Sequence, residues 1–305
     1  MTDRISIIII TYNRAADLLE LLINLSKQKN LDTVLEEILI LNNASTTNYD
    51  EVTEYINNTL SLKIKYTFNN ENIGVARGRN KLLKIAKGTI FLSIDDDMAF
   101  TEPTDLLQFS TIFQKDIFKT NTGIITFRVI YYENKEVQIT AFPHKKYEKY
   151  SAKPQFLTYY FAGGAHIMRK EVIQDAGFYP EDFHYGMEEY DLAYRVLEAG
   201  YTIGYDNSVT VLHKESPKGR QANYKKLQMQ WVNKSKVAWR YLPLIYFFTT
   251  AFSWGLQYLK NSKGHIGTFF VSIGQIIKIP FTEKRNVVNK NTLNYLLKVE
   301  ARLNY

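Results

Sequence analysis

Four short apolar, β-branched runs punctuate the first hundred residues: ISIIIIT (Ile5–Thr11), EEILILNNAS, LKIKYTF and TIFLSIDDD. An unbroken apolar run of strand length is the mark of a strand covered on both faces. Helical spacing fills the intervals. Leu18, Leu19, Leu22 and Leu25 recur between Ala15 and Lys29, and ARGRNKLLKIAKG reads as a helix closed by Gly88. Strands alternating with helices predict an α/β fold with a mainly parallel, doubly wound sheet. Such sheets bind ligands outside the carboxyl ends of their strands. Three polar clusters fall there: Thr11-Tyr12-Asn13, Asn42-Asn43 and Asp95-Asp96-Asp97.

The rest of the chain is less regular. Residues 123–165 read as strands and loops rich in Tyr and Phe, and Arg169–Ala176 and Glu189–Ala199 as helices. AGYTIGYDNSVTVLH reads as two short strands, and helices follow Gly219, first basic and then apolar. With 305 residues, 45% of them apolar, the chain has ample material for a large core. It contains no cysteine, which excludes disulfides and thiolate metal sites. The N-terminal stretch lacks the pattern of a secretory signal, so the expected location is cytoplasmic. A net charge of +7, concentrated after His213, points to an anionic partner.

Three adjacent aspartates at the mouth of a buried strand repel one another and are costly to bury without a counter-charge. A hard divalent cation is the natural partner for such oxygen ligands. In isolation the triplet would be a solvated turn; the apolar strand before it and the polar strand ends beside it favour a site. In NNENIGVARGRN (69–80), Gly74 and Gly78 permit close approach, while Arg77 and Arg79 offer forked donors. The spacing is not that of a phosphate loop. Glu188, Glu189 and Asp191 begin a helix, where acidic side chains suit the dipole. The aromatic, glycine-containing loop before them could also poise a general base. Asp191 and Arg195 stand i,i+4 and are expected to pair. His213 ends a strand before a basic loop, where its imidazole could be a nitrogen ligand to the same cation.

Taken in order, SIIIITYNR, LNNAS, NENIGVARGRN, SIDDDM, FAGGAHIMRKE, GFYPEDFHYGMEEYDLAYRVLEAGY and VLHK resemble a family 2 glycosyltransferase over roughly Ile5 to His213. The resemblance implies a GT-A fold, a nucleotide-diphospho-sugar donor, Mn²⁺ or Mg²⁺, and inversion at the anomeric carbon. By matching position, Thr11, Tyr12, Asn13 and Arg14 would lie at the nucleotide with Asn72, Gly74 and Arg79. Asp95 and Asp96 would face the nucleotide-sugar, Asp96 holding the ribose. Asp97 and His213 would hold the metal, Gly163 and Gly164 would leave room for the donor sugar, and Glu189 would be the catalytic carboxylate with Glu188 beside it. The resemblance has two departures. Asn42 replaces an expected Asp that would accept the uracil N3–H, a role its carbonyl oxygen can still serve. MEEYDL replaces the commoner EDxDL, lengthening the base by one methylene. The implied donor is UDP- or dTDP-linked, and the acceptor a hydroxyl of a glycan, a lipid-linked saccharide or another molecule in bacterial polysaccharide or glycoconjugate synthesis.

These readings divide the chain into a catalytic domain at 1–218 and a helical region at 219–305. In the latter, Tyr241–Leu259 carries no charge and is of borderline length for a membrane span. Interfacial helices at the inner face of the membrane and packing on the catalytic domain or a second copy (a homodimer) weigh about equally. A span weighs less. LQMQW lacks the arginine of a processive synthase's QxxRW. Two alternatives compete with the transferase: a non-catalytic nucleotide-sugar-binding scaffold and a sugar nucleotidyltransferase. No nucleic-acid-binding module is recognisable, so no nucleic acid partner is expected.

Overall fold

The computed structural model describes residues 3–215 and 223–303. The amino-terminal part runs β1 (Ile5–Thr11), α1 (Ala15–Ser26), α2 (Leu31–Val34), β2 (Leu35–Asn42), α3 (Asp50–Asn58), β3 (Ile64–Phe68), α4 (Val75–Leu83) and β4 (Ile90–Ile94). It continues through β5 (Met98–Phe100), α5 (Asp105–Phe109), β6 (Thr122–Tyr131), α6 (Tyr147–Tyr150), β7 (Gln155–Thr158), β8 (Ala165–Arg169) and α7 (Lys170–Ala176). Next come α8 (Glu188–Glu198), β9 (Thr202–His213), α9 (Asn223–Tyr241), α10 (Leu244–Asn261), α11 (Ile266–Thr282) and α12 (Lys290–Lys298).

The described strands form one sheet in the order β3-β2-β1-β4-β8-β6-β9-β5, with β7 paired to β9. The first four are mutually parallel, and β8 meets β4 antiparallel. The order reverses between β1 and β4: the chain first builds outward through β2 and β3, then returns to the other side of β1. That switch opens a crevice at the carboxyl ends of β1 and β4. In β1, Ile5, Ile7 and Ile9 enter the core on one face of the sheet and Ile8 the core on the other, as an all-apolar strand requires.

Two boundaries differ from the sequence expectation. Helix α4 stops at Leu83, and Gly88 does not close it. Instead Gly88 lies so close to β1 that a Cβ would meet Ser6 N at 2.6 Å and Arg4 O at 2.7 Å. The two short strands expected before His213 are one, because β9 keeps its parallel pairing with β6 across a register shift at Phe127/Arg128. Asp206 holds the irregularity, accepting from Ser208 N and pairing with Lys115. The basic loop expected after His213 lies largely outside the described residues.

The carboxyl-terminal helices share the main core. Val237, Tyr241, Leu242, Val288 and Leu296 belong to the same buried cluster as Leu192 and Tyr194 of α8. Arg240 on α9 bonds Asp191 at 2.8 Å, Asp182 at 2.7 Å and Glu283 at 2.6 Å. Asp191 also pairs with Arg195 at 3.0 Å, the expected i,i+4 contact. No described helix is long and apolar enough to cross a membrane.

Candidate active site

The crevice is a cleft of about 310 Å³, and Tyr12, Arg14, Asn72, Gly74, Asp95, Asp96, Asp97 and His213 all line it. Residues far apart in sequence are therefore brought together by the strand ends. Arg14, just past β1, reaches Asp96 Oδ1 and Asp97 Oδ2, both at 3.0 Å. β9 pairs with β5 so that His213 lies opposite Met98. This puts His213 Nε2 3.3 Å from Asp97 Oδ1. The other ring nitrogen, Nδ1, lies 2.7 Å from Gln138 Oε1, whose amide donates to Glu215. With Nδ1–H donated to Gln138, Nε2 is the atom turned toward Asp97.

Burial is the largest influence on Asp96, followed by the opposing Arg14 charge and repulsion from Asp97; its carboxyl is pushed up to about 7. Asp96 Oδ2 is buried and has no hydrogen-bond partner among the described residues. An orphaned buried carboxylate oxygen beside an Asp–His pair fits a site built to receive further ligands. Among the described residues no group of three His, Asp or Glu is arranged to hold a metal unaided. Asp97 and His213 offer one oxygen and one nitrogen donor, a set that fits a divalent cation completed by diphosphate oxygens and water.

The acidic pair lies behind the cleft. Both glutamates begin α8, whose first residue follows Met187 in a left-handed conformation. Glu188 is 4% exposed and its Oε2 has no hydrogen-bond partner among the described residues, whereas the Glu189 side chain is 17% exposed. Burial raises both above the ordinary carboxylate range, and Arg79 opposes the rise. Arg79, buried on α4, is 3.4 Å from both Glu189 Oε1 and Asp95 Oδ1. Although burial opposes its charge, Tyr179 and the surrounding carboxylates hold the guanidinium above its ordinary value. One guanidinium thus joins the cleft to the acidic pair.

Several expected residues occupy different places. Gly163 and Gly164 accommodate carboxylates: a Cβ on Gly163 would fall 1.7 Å from Glu189 Oε1, and one on Gly164 2.2 Å from Asp95 Oδ2. Asn42 does not line the cleft; its Oδ1 accepts Ser45 N–H at 2.9 Å and its Nδ2 donates to Tyr66 at 2.6 Å. The cleft residue is Asn43. Thr11 bonds the Tyr49 hydroxyl at 2.7 Å, and Asn13, left-handed at φ 57°, accepts from Thr46 N. These two shape the loop and leave Tyr12 and Arg14 facing the cleft.

Sequence reasoning placed Asn43 in a strand-end cluster but missed His184, Tyr185, Glu215 and Lys226 as cleft residues. His184 and Tyr185 stand within the motif that carries the glutamates, and Lys226 within the basic helix. Neither context marks which side chain turns inward. Gly74 is expected to permit close approach, and the structure shows what approaches: φ is +82°, and a Cβ would meet His184 O at 2.6 Å.

The model of glycosyl transferase family 2 matches residues 6–177. An uncharacterized protein of Haemophilus influenzae (strain ATCC 51907 / DSM 11121 / KW20 / Rd) is 28% identical over 178 residues, 58% of this chain and 94% of its own. Among solved structures, GalNAc-T7 with UDP, GalNAc and Mn²⁺ superposes with a TM-score of 0.64 at 17% identity, covering 81% of this chain and 50% of that one. The mannosyltransferase PcManGT of Pyrobaculum calidifontis with GDP-Man and Mn²⁺ gives 0.61 at 16% identity, covering 98% and 79%. TarS 1-349 of S. aureus with UDP-GlcNAc gives 0.59 at 16%, covering 90% and 81%. These likenesses agree with the sheet order and the strand-end cleft in assigning a GT-A fold. The chain belongs to glycosyl transferase family 2.

Proposed function

We propose that this protein is an inverting glycosyltransferase that moves a sugar from a UDP- or dTDP-sugar to an acceptor hydroxyl, with Glu189 as general base. The observation that carries the reading is the single strand-end cleft in which Arg14, Asp95, Asp96, Asp97 and His213 meet, tied through Arg79 to Glu189. Tyr12, Asn43 and Asn72 line the part suited to a nucleoside, and Arg14 and Lys226 bring positive charge to a diphosphate. Asp97 and His213 would hold Mn²⁺ or Mg²⁺. The chemistry such a cation supplies is Lewis-acid stabilisation of the charge on a departing diphosphate.

Glu189 is the better base of the pair. It is the less buried, and Arg79 fixes its carboxylate beside Asp95. A carboxylate held above its ordinary range is the stronger base toward a hydroxyl proton. Removal of that proton as the hydroxyl attacks gives single displacement with inversion, and no covalent intermediate is required.

The apolar helices α10 and α11, beside the basic α9, support a peripheral contact with the inner face of the cytoplasmic membrane, where lipid-linked acceptors are found. The test of the catalytic reading is nucleotide release from UDP-, dTDP- and GDP-sugars, with and without Mn²⁺, by wild type and Asp97→Ala. Metal-dependent hydrolysis of one donor, lost in the variant, is expected. Silence across the panel together with no calorimetric nucleotide binding would leave a non-catalytic scaffold as the better account.

A further inference from the structure

Two segments that carry the family resemblance contain buried polar residues with no part in the chemistry above: His166 in FAGGAHIMRKE and Tyr179 in GFYPEDF. They touch. The Tyr179 hydroxyl lies 2.8 Å from His166 Nε2, and His166 Nδ1 lies 2.9 Å from the Ala162 carbonyl oxygen. That carbonyl can only accept, so Nδ1 carries the hydrogen. Burial, then the charge of Arg79, pushes the imidazole down to about 3 and keeps it neutral. A neutral ring has a single N–H, which leaves Nε2 as the acceptor and makes Tyr179 the donor.

Each end of this pair bears on Glu189 by a different route. At one end, the Ala162 oxygen also accepts Ala165 N–H at 3.3 Å, closing the turn at 162–165. Gly163 and Gly164 in that turn are the residues against which Glu189 and Asp95 lie. At the other end, Arg79 Cζ stands over the Tyr179 ring, 5.6 Å from its centroid and within cation–π range. Asn80, next to Arg79 on α4, fixes the backbone that carries this ring: it donates to Tyr179 O at 2.9 Å and accepts Tyr179 N–H at 3.0 Å. The two carboxylate contacts of Arg79, at 3.4 Å each, are long for charge-assisted hydrogen bonds. They leave the guanidinium plane loosely set, and the ring face supplies a further constraint.

We propose that His166 and Tyr179 are positioning residues for Glu189: their hydrogen bond joins the 162–165 turn to Arg79, so that the carboxylate is held from both sides at one angle to the acceptor hydroxyl. The proposal rests on Glu189 as the general base of the reaction proposed above. Neither residue lines the nucleotide cleft, so donor binding should not depend on them.

The test follows nucleotide release from UDP-glucose, UDP-N-acetylglucosamine, dTDP-glucose and GDP-mannose with Mn²⁺, water serving as acceptor. Wild type, Tyr179→Phe, His166→Asn, the double variant and Glu189→Gln are compared, each as kcat per UDP site counted by calorimetry. Tyr179→Phe removes the donor and His166→Asn the acceptor, while Asn keeps an N–H for Ala162. Each single substitution is expected to lower kcat about ten- to hundredfold and to change UDP affinity by less than about threefold. Because both remove the same contact, the double variant should lose no more than the worse single. A purely structural role would lower Tm and the number of UDP sites and leave kcat per site at the wild-type value. Unchanged kcat per site in both singles, or losses that multiply in the double variant, overturns the positioning role. With Glu189→Gln impaired, that result leaves the base assignment standing. Glu189→Gln turning over at the wild-type rate sinks the base assignment and the positioning role with it, as does absence of release by wild type from every donor.

Discussion

Glu188 and Glu189 are neighbours in sequence and unequal in the fold. Glu189 leans on Gly163 and Arg79, while Glu188 has a buried oxygen with no hydrogen bond among the described residues. Replacing Glu189 with Gln should lower kcat by about 10²–10⁴ with little change in donor affinity; equal losses in Glu188→Gln would reverse the assignment. The two variants also separate by stability. Burial raises the Glu188 pKa in the folded protein, so its contribution to stability is greatest at low pH and falls as pH rises from the unfolded value through the folded one. Thermal unfolding should therefore show Glu188→Gln gaining on wild type between about pH 5 and about pH 9. A constant Tm difference over that range would mean that the carboxyl is not held neutral. Gly163→Ala should damage the same centre from the opposite side, because its Cβ must displace Glu189: kcat falls while UDP affinity holds.

At the level of elements, the docking of α9 depends on a guanidinium that serves three acids. Arg240→Ala leaves Asp191, 2% exposed, with Arg195 as its remaining arginine partner and removes one of the two ion pairs from α9 to Glu283, Lys236 keeping the other at 2.9 Å. Breaking a buried ionic network of this kind costs about 3 kcal/mol, measurable as a fall in the urea midpoint, whereas a shift under about 0.5 kcal/mol would show that apolar packing and the Lys236 ion pairs hold α9 without Arg240. The strand–helix alternation was legible because period and composition encode it locally. The convergence of Thr11–Arg14, Asp95–Asp97 and His213 was legible because strand ends in a parallel sheet point one way. What escaped was set by tertiary contact. The end of α4 and the place of Gly88 depend on β1, and the continuity of β9 depends on β6. Asn42 and Asn43 look equivalent in sequence, and Ser45 and Tyr66 decide which one is left for the cleft.

For the whole molecule, charge and apolar surface are segregated. Residues 219–305 contain fourteen Lys or Arg and two Asp or Glu, so this segment carries more than the whole excess of the chain. On α10 the exposed Ile245, Phe248, Phe252, Leu256 and Leu259 form one stripe at helical spacing, and on α11 Phe270, Ile277 and Phe281 form another. Phe252 and Phe281 are 70% and 85% exposed, and a wholly apolar groove runs between the helices. An isologous pairing of two such faces would bring basic rims together. An anionic bilayer surface instead accepts the aromatic side chains and attracts the lysines. Flotation with vesicles should therefore recover the protein on anionic and not on neutral lipid, with recovery falling at high salt. Phe252→Asp combined with Phe281→Asp should abolish recovery while leaving UDP binding intact. A concentration-dependent dimer with no lipid binding, lost in the same double variant, would assign the face to a second copy of the chain.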